Sequence, residues 1–298
     1  MDNKIIDMHA HIAYAPIFSK TFLDEVVIDF KKSGIPQAYV DKLLAFVLSD
    51  ENGDKLIQQM DDAGIDKTVL LCTDFDFKKN DTPYSIQQMH QLHLEQVERH
   101  KDRLIAFAGV SPFRDETAYE IVKEYIEKYH FHGMKLYPPI GFRLNNLNLI
   151  KYYELCDYYS LPVMIHTGPS ISQFQQIENY EQDVCSLAKR YPNIKMILAH
   201  GAIKNHKVGI ALAKENENVY LDISSFQSEL EQKEQLIEKL QECFREVSRK
   251  ILFGTDWPMY HFTSQQKHWV AELKGLNIME PDMEEMLMYK NARCVLGL

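Results

Sequence analysis

Four histidines, one lysine and one aspartate stand at the ends of short apolar runs, and together they could hold a divalent metal and use it for chemistry. His9 and His11 lie in KIIDMHAH, Lys135 in HGMKLYP, His166 in PVMIHT, His200 in IKMILAH and Asp256 in ILFGTD. In a strand, residues i and i+2 share a face, so His9 and His11 can converge on one point as two ligands of one ion do. Two histidines do not make a metal site by themselves. Taken singly, each residue has an ordinary reading. The histidine pair fits the polar face of an edge strand, His166 or His200 a hydrogen-bonding loop residue, Asp256 a cap or turn, and Lys135 a side chain reaching solvent. What favours the metal is their shared position, since each ends or interrupts an apolar run at the same end. Burying so many polar groups with neither a cation nor complete hydrogen bonding would cost on the order of 1–3 kcal/mol each.

The elements that position them recur in a regular pattern. Runs rich in aliphatic and β-branched residues occupy 4–11, 67–73, 104–110, 132–138, 162–167, 194–200, 219–224 and 251–256. They are near-continuously apolar, as strands covered on both faces are. Helical stretches lie between them: 85–100 with Ser85 as N-cap, 115–130 with an acidic first turn, and the amphipathic 228–247. Strands alternating with helices predict a parallel (β/α)8 TIM barrel, one domain spanning 1–298. An open doubly wound sheet fits less well, because no Gly-rich turn follows the first strand. Residues 14–62 are too long for one crossover helix and predict a helical insertion at the active-site mouth. It is expected to act as a lid, a specificity element or rim packing. In a parallel barrel the strand ends form one rim, so the polar residues meet in a single cup.

Of the 298 residues 45% are hydrophobic, enough for a large core, and the formal charge of −10 argues against a nucleic-acid or anionic-membrane partner. The five scattered cysteines form no CxxC pair. They fit reduced thiols, and with no targeting segment and no apolar run long enough to span a bilayer, a cytoplasmic location is expected. The expected partner is a small-molecule substrate, and a homodimer is an open expectation.

The order HxH, lysine, histidine, histidine, aspartate resembles the amidohydrolase superfamily. The phrases YPNIKMILAHGA, NVYLDIS, ILFGTDWP and YKNARCVLGL are similar to its amidohydrolase-related (amidohydrolase 2) branch, which includes hydrolases and non-oxidative decarboxylases. The resemblance implies that His9, His11, His166 and Asp256 hold a divalent metal, commonly zinc, with manganese also suited to such a set. It gives His200 a place either on a second metal or on the substrate. Lys135 matches a lysine that is carboxylated and bridges two metals in binuclear members such as dihydroorotases. One firmly bound ion is expected, with a second, on carboxylated Lys135 and His200, left open.

Hydrolysis is the first expectation. A metal-activated water attacks the carbonyl carbon of an amide, lactam, lactone or ester, Asp256 accepts the proton, and His200 hydrogen-bonds the substrate. The alternative is non-oxidative decarboxylation of a small aromatic or unsaturated carboxylic acid. That route needs a cation for the carboxylate and an acid for the carbon, for which Arg114, Arg143 and His261 are candidates. Tyr137 and Trp257 are candidate pocket residues. A barrel that has lost its chemistry is the third reading. Asp7, at the parity of His9 and His11, is expected either to support the ligands or to be structural. His90, His93 and His100 are expected on a solvated helix face, and His206 in a loop.

Overall fold

Eight strands, each parallel to the next, run in the order of the sequence: β1 (Ile6–Ala10), β2 (Lys67–Leu71), β3 (Leu104–Gly109), β4 (Met134–Leu136), β5 (Val163–His166), β6 (Met196–Ala199), β7 (Val219–Asp222) and β8 (Ile251–Leu252). The computed structural model describes residues 4–32, 34–75, 81–168, 170, 180–261 and 264–298. The ring closes where Met8 N donates to Phe253 O at 2.9 Å and Asp256 N to His9 O at 2.7 Å. The architecture is the (β/α)8 barrel that the alternating pattern predicts.

Alternation along the strands fills the interior. Ile6, Met8, Val69, Leu71, Ile105, Phe107, Met164, Ile197, Ala199 and Leu252 form one buried apolar layer, joined by Ala292, Val295 and Leu296 of the last helix. The opposite parity packs outward against the helices. These helices are α1 (Lys20–Lys32), α2 (Gln37–Val47), α3 (Asp54–Ala63), α4 (Ile86–Arg99), α5 (Thr117–Glu127), α6 (Ile150–Tyr158), α7 (Tyr180–Arg190), α8 (His206–Glu215), α9 (Lys233–Val247), α10 (Gln266–Gly275), α11 (Pro281–Glu285) and α12 (Asn291–Leu296). Ser85 caps α4 as expected, in a full capping box with Gln88. His206 opens α8 rather than lying in a loop, and its Nε2 meets Glu242 at 2.6 Å. The stretch 228–247 is helical in two parts, a 3-10 segment Phe226–Gln232 followed by α9.

Two departures from a plain barrel shape the rim. The pairing of β1 with β2 shifts register between Asp7 and Ala10. A shift of this kind adds one residue to a strand and re-aims the side chains beyond it. Ile6 and Met8 keep the interior parity of plain alternation, and the extra residue after them takes His9 out of the parity with Asp7 that the sequence suggests. The Asp7 carboxylate instead accepts from Thr255 N at 2.9 Å, Thr255 Oγ1 at 2.6 Å and His9 N at 3.0 Å, stapling β1 to the segment after β8. The second departure is the run of α1, α2 and α3 between β1 and β2. Ser19 Oγ caps α1 by accepting from Phe22 N at 3.0 Å, and Thr21 is held by Asp81 beyond β2. These bonds bring Phe18 and Phe22 to the cavity at the rim.

Another correction concerns α4. His90 and His93 are fully buried, not solvated. Each donates its Nδ1 proton at 2.7 Å to the carbonyl one turn earlier, Ile86 O and Met89 O. A helix can bury neutral imidazole in this way, because its own backbone supplies the acceptor. Burial pushes His90 down to about 4 and His93 to about 3.

Candidate metal centre

His9 Nε2, His11 Nε2 and Asp256 Oδ1 form a nearly equilateral triangle, with sides of 3.3, 3.4 and 3.4 Å. Ligand atoms sharing a tetrahedral face around one ion, with bonds near 2.1 Å, stand about 3.4 Å apart. The spacing therefore fits a divalent ion. Ligand atoms of His9, His200 and Asp256 also lie within 4.8 Å of one another. His200 Nε2 in turn faces His166 Nδ1 at 3.1 Å. The five residues predicted from four different strands thus do meet at one rim.

The outer nitrogens decide where the inner ones point. His9 Nδ1 donates to Asp222 Oδ2 at 2.5 Å, and His11 Nδ1 to Leu71 O at 3.1 Å. Each leaves Nε2 as a lone pair aimed into the cup, the orientation that metal-ligating imidazoles take from their supporting partners. Asp222 is itself held by Ser224 N and Ser224 Oγ, both at 2.7 Å. His200 Nδ1 lies against Ser224 Oγ at 3.0 Å and Ser225 Oγ at 2.9 Å. Ser225 Oγ also donates to Asp256 Oδ2 at 3.0 Å. Asp222, Ser224 and Ser225 are absent from the sequence-based set, although Asp222 ends the strand run NVYLDIS in the same phase as the others.

Burial and charge set the protonation states. Burial, aided by Lys135, holds His9 well below the usual imidazole range, and burial pushes His200 down to about 4. Both are neutral donors of lone pairs at neutral pH. Burial acts to raise Asp256, but the surrounding imidazoles, His11 first and then His200 and His9, outweigh it and keep the carboxyl well below its ordinary range. Burial lowers Lys135 to about 8 against the opposing pull of Asp256 and Asp222. The backbone also carries a cost here. His200, Ser225 and Asp256 adopt left-handed conformations, with φ of 63°, 71° and 54°. Non-glycine residues hold such angles at about 1–3 kcal/mol each, and they cluster at functional sites.

A cavity of about 240 Å³ opens directly onto this cup. His11, Lys135, His166, His200, Ser225 and Asp256 form its floor, and Phe18, Phe22, Phe75, Tyr137, Met259 and Tyr260 its walls. The aromatic rings run in an unbroken series. Phe22 and Phe75 have centroids 4.7 Å apart, Phe75 and Tyr137 5.0 Å, and Tyr137 and His166 4.5 Å.

The amidohydrolase family model matches residues 6–298. The chain belongs to the amidohydrolase family. It is accordingly an enzyme of the amidohydrolase superfamily. Among solved structures, an uncharacterized TIM-barrel protein from Bordetella bronchiseptica is similar with a TM-score of 0.72 at 17% identity, covering 99% of this chain and 98% of that one. A 2,6-dihydroxybenzoate decarboxylase complexed with 2,6-dihydroxybenzoate has a TM-score of 0.69 at 16% identity, covering 99% of each chain. A 5-carboxyvanillate decarboxylase from Novosphingobium aromaticivorans, complexed with manganese and a nitrobenzoic acid, has a TM-score of 0.66 at 14% identity, covering 99% of this chain and 96% of that one. A comparison with curated proteins finds no match. No helix among the described residues is long and apolar enough to cross a membrane.

In this amidohydrolase four of the remaining predicted contacts, Arg114, Arg143, Trp257 and His261, fall outside the cup. Arg143 forms a paired hydrogen bond with Asp183, at 2.6 and 3.2 Å, and is half exposed. Arg114 does the same with buried Asp74, at 2.8 and 3.0 Å. Guanidinium groups held two-pronged by a carboxylate are poorly placed to turn to a substrate. Trp257 and His261 pack edge to face with centroids 5.0 Å apart, and neither is among the described residues lining the cavity. Tyr137 does line it, and burial raises its phenol beyond the ordinary tyrosine range, so it stays protonated.

Proposed function

We propose that this amidohydrolase is a metal-dependent non-oxidative decarboxylase of a small aromatic carboxylic acid. The observation that carries the proposal is the cavity: flat aromatic walls above a floor of metal-donor residues, in a volume of about 240 Å³ that suits one ring with its substituents. Similarity to decarboxylases supports it through the fold. It displaces hydrolysis, the reading that sequence alone ranks first.

His9, His11 and Asp256 would hold the ion, with His166 and His200 beside them. Manganese or zinc suits this donor set, and the ion would draw electron density from the substrate's carboxylate and a neighbouring oxygen. The chain's own residues do the rest. Decarboxylation needs one proton on the ring carbon as the bond to carbon dioxide breaks. Asp256, ionised at rest and steadied by Ser225 Oγ at 3.0 Å, takes the proton of an ortho hydroxyl and returns it to that carbon. A hydroxybenzoate then becomes a phenolate and carbon dioxide, with atoms and charge conserved. His200, a neutral imidazole whose Nδ1 is held by Ser224 and Ser225, offers its Nε2 lone pair to a hydroxyl of the substrate. Phe75 and Tyr137 align the ring and exclude water, which protects the carbanion-like transition state from solvent.

The test is a panel of hydroxybenzoates beside lactones, esters and amides, given to manganese- and zinc-loaded protein. Carbon dioxide from at least one acid is expected. Hydrolysis of a carbonyl substrate with no carbon dioxide from any acid would sink the proposal.

A further inference from the structure

Lys135 is the most unusual polar residue of the cavity. It sits on β4 in register with Gly109 and with Met164 of the interior apolar layer, and is 1% exposed. Its Nζ is buried with no hydrogen-bond partner among the described residues, and it lines the cavity. A lysine ammonium carries three donors and strongly disfavours burial without an acceptor. The acidic groups nearby are engaged elsewhere: Asp222 with His9 and Ser224, Asp256 with Ser225 and the imidazoles of His9 and His11. The guanidiniums of Arg114 and Arg143 are tied to Asp74 and Asp183. Among the described residues lining the cavity, Lys135 is the one ammonium or guanidinium.

We infer that Lys135 is the anion anchor of the site, its buried unpartnered ammonium receiving an anionic oxygen of a flat aromatic acid whose ring lies against Phe75 and Tyr137. This rests on the proposed decarboxylase reading and names the residue that selects its substrates. It differs from the metal-bridging role that the resemblance implies for this lysine, because an anchor acts as a cation and a bridge as a carboxylated anion. The anchor makes the site selective for acids over neutral molecules of the same shape.

The test is calorimetric titration of manganese-loaded protein with 2-hydroxybenzoate and with uncharged 2-hydroxybenzamide, in wild type and Lys135→Met. The methionine keeps the length of the stem and removes the donors. The substitution should weaken the acid by about tenfold or more while leaving the amide within about twofold. Manganese stoichiometry should be unchanged. Equal affinity for the acid in both proteins, or no binding of the acid to wild type, would overturn the inference. So would a carbon dioxide adduct on Lys135 in native mass spectra, together with manganese lost from the variant. If Lys135→Met fails to fold, wild type answers the question through labelling. Cyanate should carbamoylate Lys135, and 2-hydroxybenzoate but not the amide should suppress it. Labelling that the acid does not suppress, or a lysine that cyanate does not reach, would overturn the inference. Wild type that binds the acid through Lys135 yet releases no carbon dioxide would retain the anchor and reject the decarboxylase reading.

Discussion

Replacing Asp222 with Asn should weaken metal binding without unfolding the barrel. Asp222 is fully buried at the end of β7. One of its oxygens accepts from His9 Nδ1 and Ser224 Oγ, the other from Ser224 N. An amide has one acceptor. If it faces His9, the amino group meets the Ser224 N–H; if it turns, the amino group meets the His9 Nδ1–H. Either way a donor confronts a donor, and His9 loses the charge that fixes its tautomer and raises the basicity of Nε2. Losing such a supporting partner costs about 10–100-fold in metal affinity, or about 1.4–2.7 kcal/mol. A charge-assisted hydrogen bond of about 1.5–3 kcal/mol agrees with that range. Competition against a metallochromic chelator would measure the affinity of both proteins for manganese and zinc, with circular dichroism as the check on folding. A folded variant that binds either ion within about twofold of wild type would refute this account of how His9 is oriented.

Asp256→Asn should lower turnover by about 100-fold or more while removing less of the bound metal, since it takes away the proton carrier and keeps an oxygen. Substantial carbon dioxide release by that variant would contradict the role. Gly168→Ala would place a Cβ 2.4 Å from His200 Cδ2 and 2.7 Å from Cγ, so the ring must move. Turnover should fall by about tenfold or more with the fold retained, and an unmoved His200 in a crystal structure of the variant would reject this. His90 and His93, held near 4 and 3 in the fold, titrate near 6.5 when unfolded. The unfolded chain therefore binds protons first as the pH falls. Their contribution to stability is full above 6.5 and is lost progressively as the pH drops toward 4. Burial pushes Asp7 up to about 7, which works in the opposite direction, so the comparison is with His93→Gln. Between pH 7.5 and 5.5 that variant should lose about 1.4 kcal/mol less than wild type in urea unfolding. Equal losses would show that His93 titrates normally.

The barrel was legible because eight apolar runs and their polar ends repeat in one phase, and the phase alone brings His9, His11, Lys135, His166, His200 and Asp256 to one rim. Three things were not legible, each for a physical reason. The register shift in β1 depends on how that strand pairs with β2, so simple alternation misplaced Asp7. The imidazoles of α4 found acceptors in their own helix, which polar neighbours such as Gln91 and Glu95 gave no sign of. Arg114 and Arg143 were drawn to carboxylates forty residues away, Asp74 and Asp183, contacts that only the folded chain creates. Asp222 could have been found. It sits in the same phase as His200 and Asp256, in a strand already recognised, and an aspartate closing an apolar run beside predicted ligands is a natural partner for one of them.

The most direct test of the central claim is mass analysis of products formed from 2,6-dihydroxybenzoate in deuterium oxide by manganese-loaded enzyme. Decarboxylation at this metal centre predicts carbon dioxide and 1,3-dihydroxybenzene in equal amounts, with one deuterium on the ring carbon that carried the carboxylate, all abolished by a chelator. If that acid and its hydroxybenzoate relatives remain intact while a lactone, ester or amide is cleaved in the same metal-dependent manner, the central claim is contradicted.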